Sequence, residues 1–226
     1  MTNKEKSQIR FRRPRQIRRG ICIMLAGCLY SFGAETYIPE SVKELASQGN
    51  QAFEQQDYKT ARENYQKVLE FVPDNLVALT NLGLAEFASG NSDVAEKFLL
   101  RAVKAKLETA PAWLTLGMIY SDSERNDEAL AALTQAALYD PSNPRVHNFL
   151  GIIYGRRGWS DAAEAELRKA VQLDSTYADA HFNLACFYIT REKPLVEPAQ
   201  RHYYRAIDLG APPDKQLEKK FPKTKK

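Results

Sequence analysis

From residue 41 onward the apolar positions of this 226-residue chain keep a helical period, interrupted at regular intervals by polar turns. The stretch 110–143, APAWLTLGMIYSDSERNDEALAALTQAALYDPSN, shows the unit. Apolar residues recur three and four positions apart over two short segments, which predicts two amphipathic helices joined by a polar turn. The pattern returns every 34 residues: Gly49, Gly83, Gly117 and Gly151 keep that spacing, as do Ala61, Ala95, Ala129 and Ala163. So strict a spacing predicts a repeat array, an extended scaffold whose units pack on their neighbours, rather than a single globular core.

Five units follow in order, at 42–75, 76–109, 110–143, 144–177 and 178–211. Ser41-Val42-Lys43-Glu44 has the form of a capping box, in which the Ser hydroxyl accepts a backbone N–H and the Glu reaches back to the Ser amide. In the first unit, helix A is expected to run to Gln55 and helix B over 57–71. Pro73-Asp74-Asn75 then ends the unit, because proline cannot continue a helix. Asn75, Thr109 and Asn143 are the expected caps of later A helices, with Pro144 at the favoured first position. Ser92, Asn126 and Ser160 precede helix B, each followed by an Asp that complements the helix dipole. The fifth unit carries an insertion around 193–198 before its helix B resumes at 199–209.

Trp113, Leu116, Gly117, Tyr120, Ala129, Ala136 and Pro141 set small and aromatic residues in fixed columns that recur through the units. On these columns the chain resembles the tetratricopeptide repeat family across 42–211. The resemblance implies an all-α fold, a right-handed superhelical solenoid of five helix-turn-helix repeats whose A helices line a concave groove. The residue chemistry agrees: glycine inside a helix costs ~1 kcal/mol relative to alanine, so its recurrence implies close helix approach. Four departures stand out, with Gln48 and Glu86 in core columns, Ala185 for the fifth glycine and Leu107 for the second proline.

Residues three before, one after and four after each glycine share one helical stripe, facing away from helix B. By the resemblance this stripe lines the groove, which makes Asn50, Phe53, Thr80, Leu84, Phe87, Leu114, Met118, Asn148, Ile152 and Phe182 candidate partner-binding residues. Leu84, Leu114, Met118 and Ile152 form the expected floor, Asn148 is placed to bond a peptide backbone, and Arg145 and Arg156 flank it. Half of the stripe is assigned instead to packing between neighbouring A helices, Phe53 and Phe87 above all. Asn50 and Asn81 match the two asparagines of the carboxylate clamp found in one subgroup of the family. Ala46, Pro111 and Thr115 occupy the columns of its cations, so a terminal carboxylate would lack its charge-assisted bonds.

Charge changes the picture only at the ends. The net charge of +4 hides a body, 35–210, that carries 18 bases against 25 acids. The excess positive charge lies in 1–34, at +7, and in 211–226, at +4, so no nucleic-acid partner is indicated. The tail, 212–226, reads as a solvated basic end with at most a short capping helix. Three histidines and no phosphate loop, nucleophile elbow or paired-carboxylate motif point away from an enzyme, and no cofactor or metal is implied. His147 and His181 share the column of Trp113 and read as packed residues. His202 stands in no constellation, and Cys186 reads as a small hydrophobe on a helix face.

The basic residues 1–19 precede 20–34, GICIMLAGCLYSFGA, 15 largely apolar or small residues. That is short of the ~18–20 that span a bilayer but suits the apolar region of a signal peptide, so export to the periplasm or a membrane is expected, with 35–41 as linker. Leu25-Ala26-Gly27-Cys28 resembles the lipobox of bacterial lipoproteins, which implies lipidation of Cys28. A cut after Ser31-Phe32-Gly33 is the alternative. Two functional readings follow: an exported scaffold binding a protein or peptide segment in its groove, and a structural homo-oligomer stacking through exposed ends near Tyr203 and Tyr204.

Overall fold

The computed structural model describes residues 39–222. Residues 1–34, expected to be a targeting segment with Cys28, lie outside the described residues, as do most of the linker and the last tail residues, 223–226. The chain divides into two units, Met1–Glu40 and Ser41–Lys226, and the helical array forms the second.

Eleven α-helices and no strand occur among the described residues. They are α1 (Glu40–Glu54), α2 (Tyr58–Phe71), α3 (Leu76–Ala88), α4 (Ser92–Ala105), α5 (Ala110–Asp122), α6 (Asn126–Tyr139), α7 (Pro144–Arg156), α8 (Ser160–Leu173), α9 (Ala178–Thr190), α10 (Val196–Asp208) and α11 (Lys215–Glu218). Odd-numbered helices α1 to α9 are the A helices, and each pairs with the even-numbered helix after it. The solenoid expected from the spacing is what forms.

The glycine column sets the closeness of each pair. A Cβ on Gly117 would lie 2.6 Å from the Leu133 side chain, and one on Gly151 would lie 2.5 Å from Leu167, distances that no real contact allows. Gly83 meets Leu99 and Gly49 meets Tyr65 in the same way, always the residue 16 positions later. In the fifth repeat Ala185 and Tyr203 take these roles, both fully buried. There Ala199 follows Ala163 by 36 positions rather than 34, so the spacing that marks the other partners is lost.

The A-to-B turns of the first four repeats each use a left-handed residue: Gln56 (φ 61°), Gly90 (φ 83°), Glu124 (φ 58°) and Gly158 (φ 74°), again 34 apart. The next amide then bonds five residues back, as from Asp57 to Ala52, Asn91 to Glu86, Arg125 to Tyr120 and Trp159 to Tyr154. This closes the helix end in the manner of a Schellman motif.

The caps divide. Asn75 accepts from the Ala78 amide at 2.9 Å, Asn143 from the Arg145 amide at 3.1 Å and Asp57 from the Thr60 amide at 3.1 Å. Thr109 occupies its cap position, but its hydroxyl donates to the Lys106 carbonyl instead. Ser92, Asn126 and Ser160 are the first helical residues rather than caps, because Asn91, Arg125 and Trp159 already leave the left-handed turn as cap residues. Ser41 likewise falls inside α1, which starts at Glu40 directly after Pro39 and so displaces the expected capping box.

Successive repeats are joined by packing of each helix on the next A helix and of A helices on one another. Polar links cross the same boundaries: Arg62 to Glu86, Arg125 to Glu96, Arg157 to Asp127 and Arg191 to Glu164. The first accounts for Glu86, an acid in a core column that is buried yet ion-paired at 3.0 Å and bonded by Asn91. Gln48 reaches solvent. In the Trp113 column, ring nitrogens meet a carbonyl six residues earlier: Trp113 with Leu107 at 2.7 Å, His147 with Pro141 at 2.8 Å and His181 with Ser175 at 3.2 Å. These side chains brace the connection between repeats.

The C-terminal edge is covered. Leu217 and Phe221 are buried against Tyr203, whose hydroxyl accepts from the Asp214 amide at 2.8 Å and donates to Glu218 at 2.9 Å. Tyr203 is therefore not at the open edge expected for stacking, and only Tyr204 remains exposed there. Among the described residues no helix is long and apolar enough to cross a membrane.

Candidate functional site

The A helices line up side by side, so residues at the same position of successive repeats form rows across the array. The stripe expected to line the groove separates into packed and open members. Leu114 and Thr80 are buried, the latter donating its hydroxyl to the Leu76 carbonyl at 2.8 Å. Asn148, expected to meet a ligand backbone, is only 2% exposed and accepts from the Asn183 amide group at 2.9 Å. Its carbonyl is thus used between α7 and α9. These three residues belong to the wall beneath the surface, since A helices approach closely enough to enclose whichever side chain points between them.

Leu84, Phe87, Met118 and Ile152 are half-buried, the first three packed against the core. Phe53 is also half-buried, set edge-on to Tyr58 at 5.5 Å, and Phe182 stands 6.3 Å from Tyr203. Asn50 is exposed, and its side-chain carbonyl accepts from the Tyr65 hydroxyl at 2.7 Å and from Asn81 at 3.1 Å. The asparagine pair that matches the clamp is therefore bonded to itself.

The electrostatics of the groove centre on α7. Arg156 donates to the Ser121 carbonyl at 2.8 Å and to its hydroxyl at 3.2 Å, and Arg145 lies 3.4 Å from the Met118 sulfur. Between residues 39 and 195, Arg62, Arg101, Arg125, Arg157, Arg168 and Arg191 are ion-paired. Within that span Arg145 and Arg156 are the two without a carboxylate at ion-pair distance, and both flank the apolar floor.

Beside α7 lies a crevice of about 290 Å³, reaching from Ile152 and Gly155 to Cys186, Phe187 and Thr190 of α9, with Leu167 at its base. Burial pushes the Cys186 thiol above its ordinary pKa, in keeping with its expected role as a small hydrophobe. Phe187 and Thr190 lie outside the stripe and were not among the sequence candidates. The available signal was Gly155 itself, a glycine where other repeats carry Phe53, Phe87, Ser121 and Ile189.

A second cluster joins residues the sequence left apart. His181 and His202 approach at 2.9 Å between their Nδ1 atoms, with the Tyr188 ring 6.0 Å from His202. Since His181 Nε2–H faces the Ser175 carbonyl, its Nδ1 accepts and His202 Nδ1–H donates. Burial, reinforced by His181, depresses the His202 pKa to about 4.

Helical hairpins stacked into a solenoid, with one row of helices presenting a partly apolar groove, define a repeat scaffold. Tetratricopeptide repeats are the particular type: a family model described as tetratricopeptide repeat matches residues 114–185, and one described as TPR repeat matches 49–90. The protein O-mannosyl-transferase Tmtc3 of Drosophila melanogaster is 27% identical over 136 residues, 60% of this chain, and the chain spans 15% of that protein's length. Among solved structures, MamA of Desulfovibrio magneticus RS-1 superposes with a TM-score of 0.65 at 16% identity, covering 76% of this chain and 96% of that one. YrrB, described as a TPR protein with an unusual peptide-binding site, superposes with a TM-score of 0.59 at 22% identity, covering 75% and 85%. At these identities the likeness establishes the fold.

Proposed function

We propose that this chain is an exported scaffold that works by binding rather than by catalysis, holding an apolar or amphipathic peptide segment of a partner protein in its groove. The observation that carries the reading is the row Leu84, Phe87, Met118 and Ile152, left half-open along successive A helices while neighbouring apolar columns are closed. Apolar surface open in a groove marks a partner site, and helical or extended segments are its usual occupants. The peptide-binding site named for YrrB supports the same use of this fold. Export rests on the basic residues 1–19 before the apolar run 20–34, with Cys28 as the anchoring position.

Replacing Leu84 and Met118 together by Ser tests the groove. Burial of apolar area contributes ~25 cal/mol per Å² before ordering costs, so losing both side chains weakens partner capture strongly while the helical signal is unchanged. A folded double variant that recovers the same partners from the native host, at wild-type yield, refutes the groove. Detergent-phase extraction tests the address: the wild type partitions into detergent and Cys28→Ser does not. Full-length protein in the cytosolic fraction with residues 1–20 intact overturns export.

A further inference from the structure

Resting on that groove reading, the geometry points to a specific anchoring subsite at Gly155, and we propose that its ligand is an acidic segment carrying one bulky apolar side chain. The crevice exists because of two substitutions in the repeat pattern. In the third repeat, the corresponding gap beside Ser121 is occupied by Arg156 of the following repeat, bonded to the Ser121 carbonyl. One repeat later the counterparts are Gly155 and Thr190. Glycine contributes no side chain, and Thr190 turns its hydroxyl back to the Cys186 carbonyl of its own helix at 2.8 Å. Arg191, the next cation, lines the crevice with its guanidinium paired to Glu164. A Cβ on Gly155 would meet only the Ala163 Cβ, at 3.9 Å.

The walls define what fits. Ile152, Leu167 and Phe187 form the apolar part of the lining, beside polar Asn183, Thr190 and Arg191, and burial pushes the Cys186 thiol pKa up. At about 290 Å³ the crevice falls at the lower edge of the ~300–1,000 Å³ typical of small-molecule pockets, a size for one side chain rather than a cofactor.

Charge complementarity identifies the rest of the ligand. Arg145, beside Met118, and Arg156, bonded to Ser121, have no carboxylate at ion-pair distance and sit on the same helix as the crevice, so a ligand carboxylate near each gains a charge-assisted bond. Eleven residues of helix separate them by roughly 16 Å, which an extended strand covers in about five residues. The segment is therefore acidic at two points about five residues apart, with an aromatic or large aliphatic residue for the Gly155 subsite.

Fluorescence anisotropy with the labelled probe Ser-Glu-Ser-Ser-Phe-Ser-Glu-Ser tests this on the full chain. Wild-type protein should bind it at least tenfold more tightly than the same peptide with Ala for Phe or with Lys for both Glu. Gly155→Leu fills the crevice without meeting backbone, so its thermal midpoint should hold or rise while probe affinity falls at least tenfold. Arg145→Gln should weaken binding severalfold at low salt and little at high salt. A probe bound no better than its Ala control, or Gly155→Leu binding within twofold of wild type, overturns the subsite. If the Leu84 and Met118 double variant still loses its native partners in that event, the groove reading stands and only the Gly155 proposal fails. If neither change alters binding, both fall.

Discussion

At the scale of single residues, the turns between paired helices carry strain that the sequence conceals. Four turn residues must adopt positive φ, yet only Gly90 and Gly158 are glycine. Gln56 and Glu124 carry the cost of a left-handed L-residue, about 1–2 kcal/mol. Glu124 is exposed and its backbone is already closed by the Arg125 amide, so removing its Cβ relieves strain without removing a contact of the core. Glu124→Gly is expected to stabilise the array by about 1 kcal/mol, part of the gain being offset by greater freedom of the unfolded chain. Glu124→Ala keeps the strain and should leave the thermal midpoint near wild type. Equal midpoints for the two variants would show that the turn is not strained.

At the scale of an element, the fifth hairpin contains the histidine pair that joins α9 to α10. Both histidines have folded pKa values below 6.5: burial is the larger cause for each, Arg205 adding to it at His181, and His181, Arg201 and Arg168 adding to it at His202. The sign follows directly. The unfolded chain takes up protons near pH 6.5 while the folded pair stays neutral, so its stability is complete above that pH. It is lost progressively as pH falls toward about 4, where His202 protonates. Protection against hydrogen exchange in α9 and α10, taken relative to the intrinsic rate at each pH, should therefore fall between pH 7 and pH 4.5 more than protection in α5 and α6. His202→Phe should flatten that difference, and an unchanged pH dependence in this variant would refute the assignment.

At the scale of the whole molecule, a solenoid needs an end that does not expose the face a further repeat would cover. The short helix α11 supplies it, laying Leu217 and Phe221 over Tyr203. Leu217 is 5% exposed, and a buried Leu→Ala change costs about 2–5 kcal/mol. In a repeat array that loss stays near its origin, because stability is a sum of nearest-neighbour terms. Leu217→Ala should raise exchange in α9 to α11, leave α3 to α6 unchanged, and bare Tyr203. Of the two tyrosines near which C-terminal stacking of copies was expected, Tyr203 is covered and Tyr204 stays exposed.

The residue pattern by itself determined the helix pairs, their 34-residue spacing and the close approach at each central glycine, because packing that repeats must use the same small residue at the same place. It also placed the candidate residues on one stripe of each A helix, since three positions around a glycine share a helical face in any helix. The turn column stayed hidden because non-glycine residues at Gln56 and Glu124 break its pattern. The cap residues were misplaced by one because a left-handed turn residue, invisible in composition, sets where helix B begins. Only the tertiary structure decided which stripe residues face out: Asn148 and Leu114 share the periodicity of Ile152 and Met118, but the distance between adjacent A helices buries the first two and leaves the second two half-open. It alone brought His181 to His202, because the longer fifth connection shifts the register between them. It alone opened the crevice at Gly155, because a gap depends on what the neighbouring repeat fails to place there.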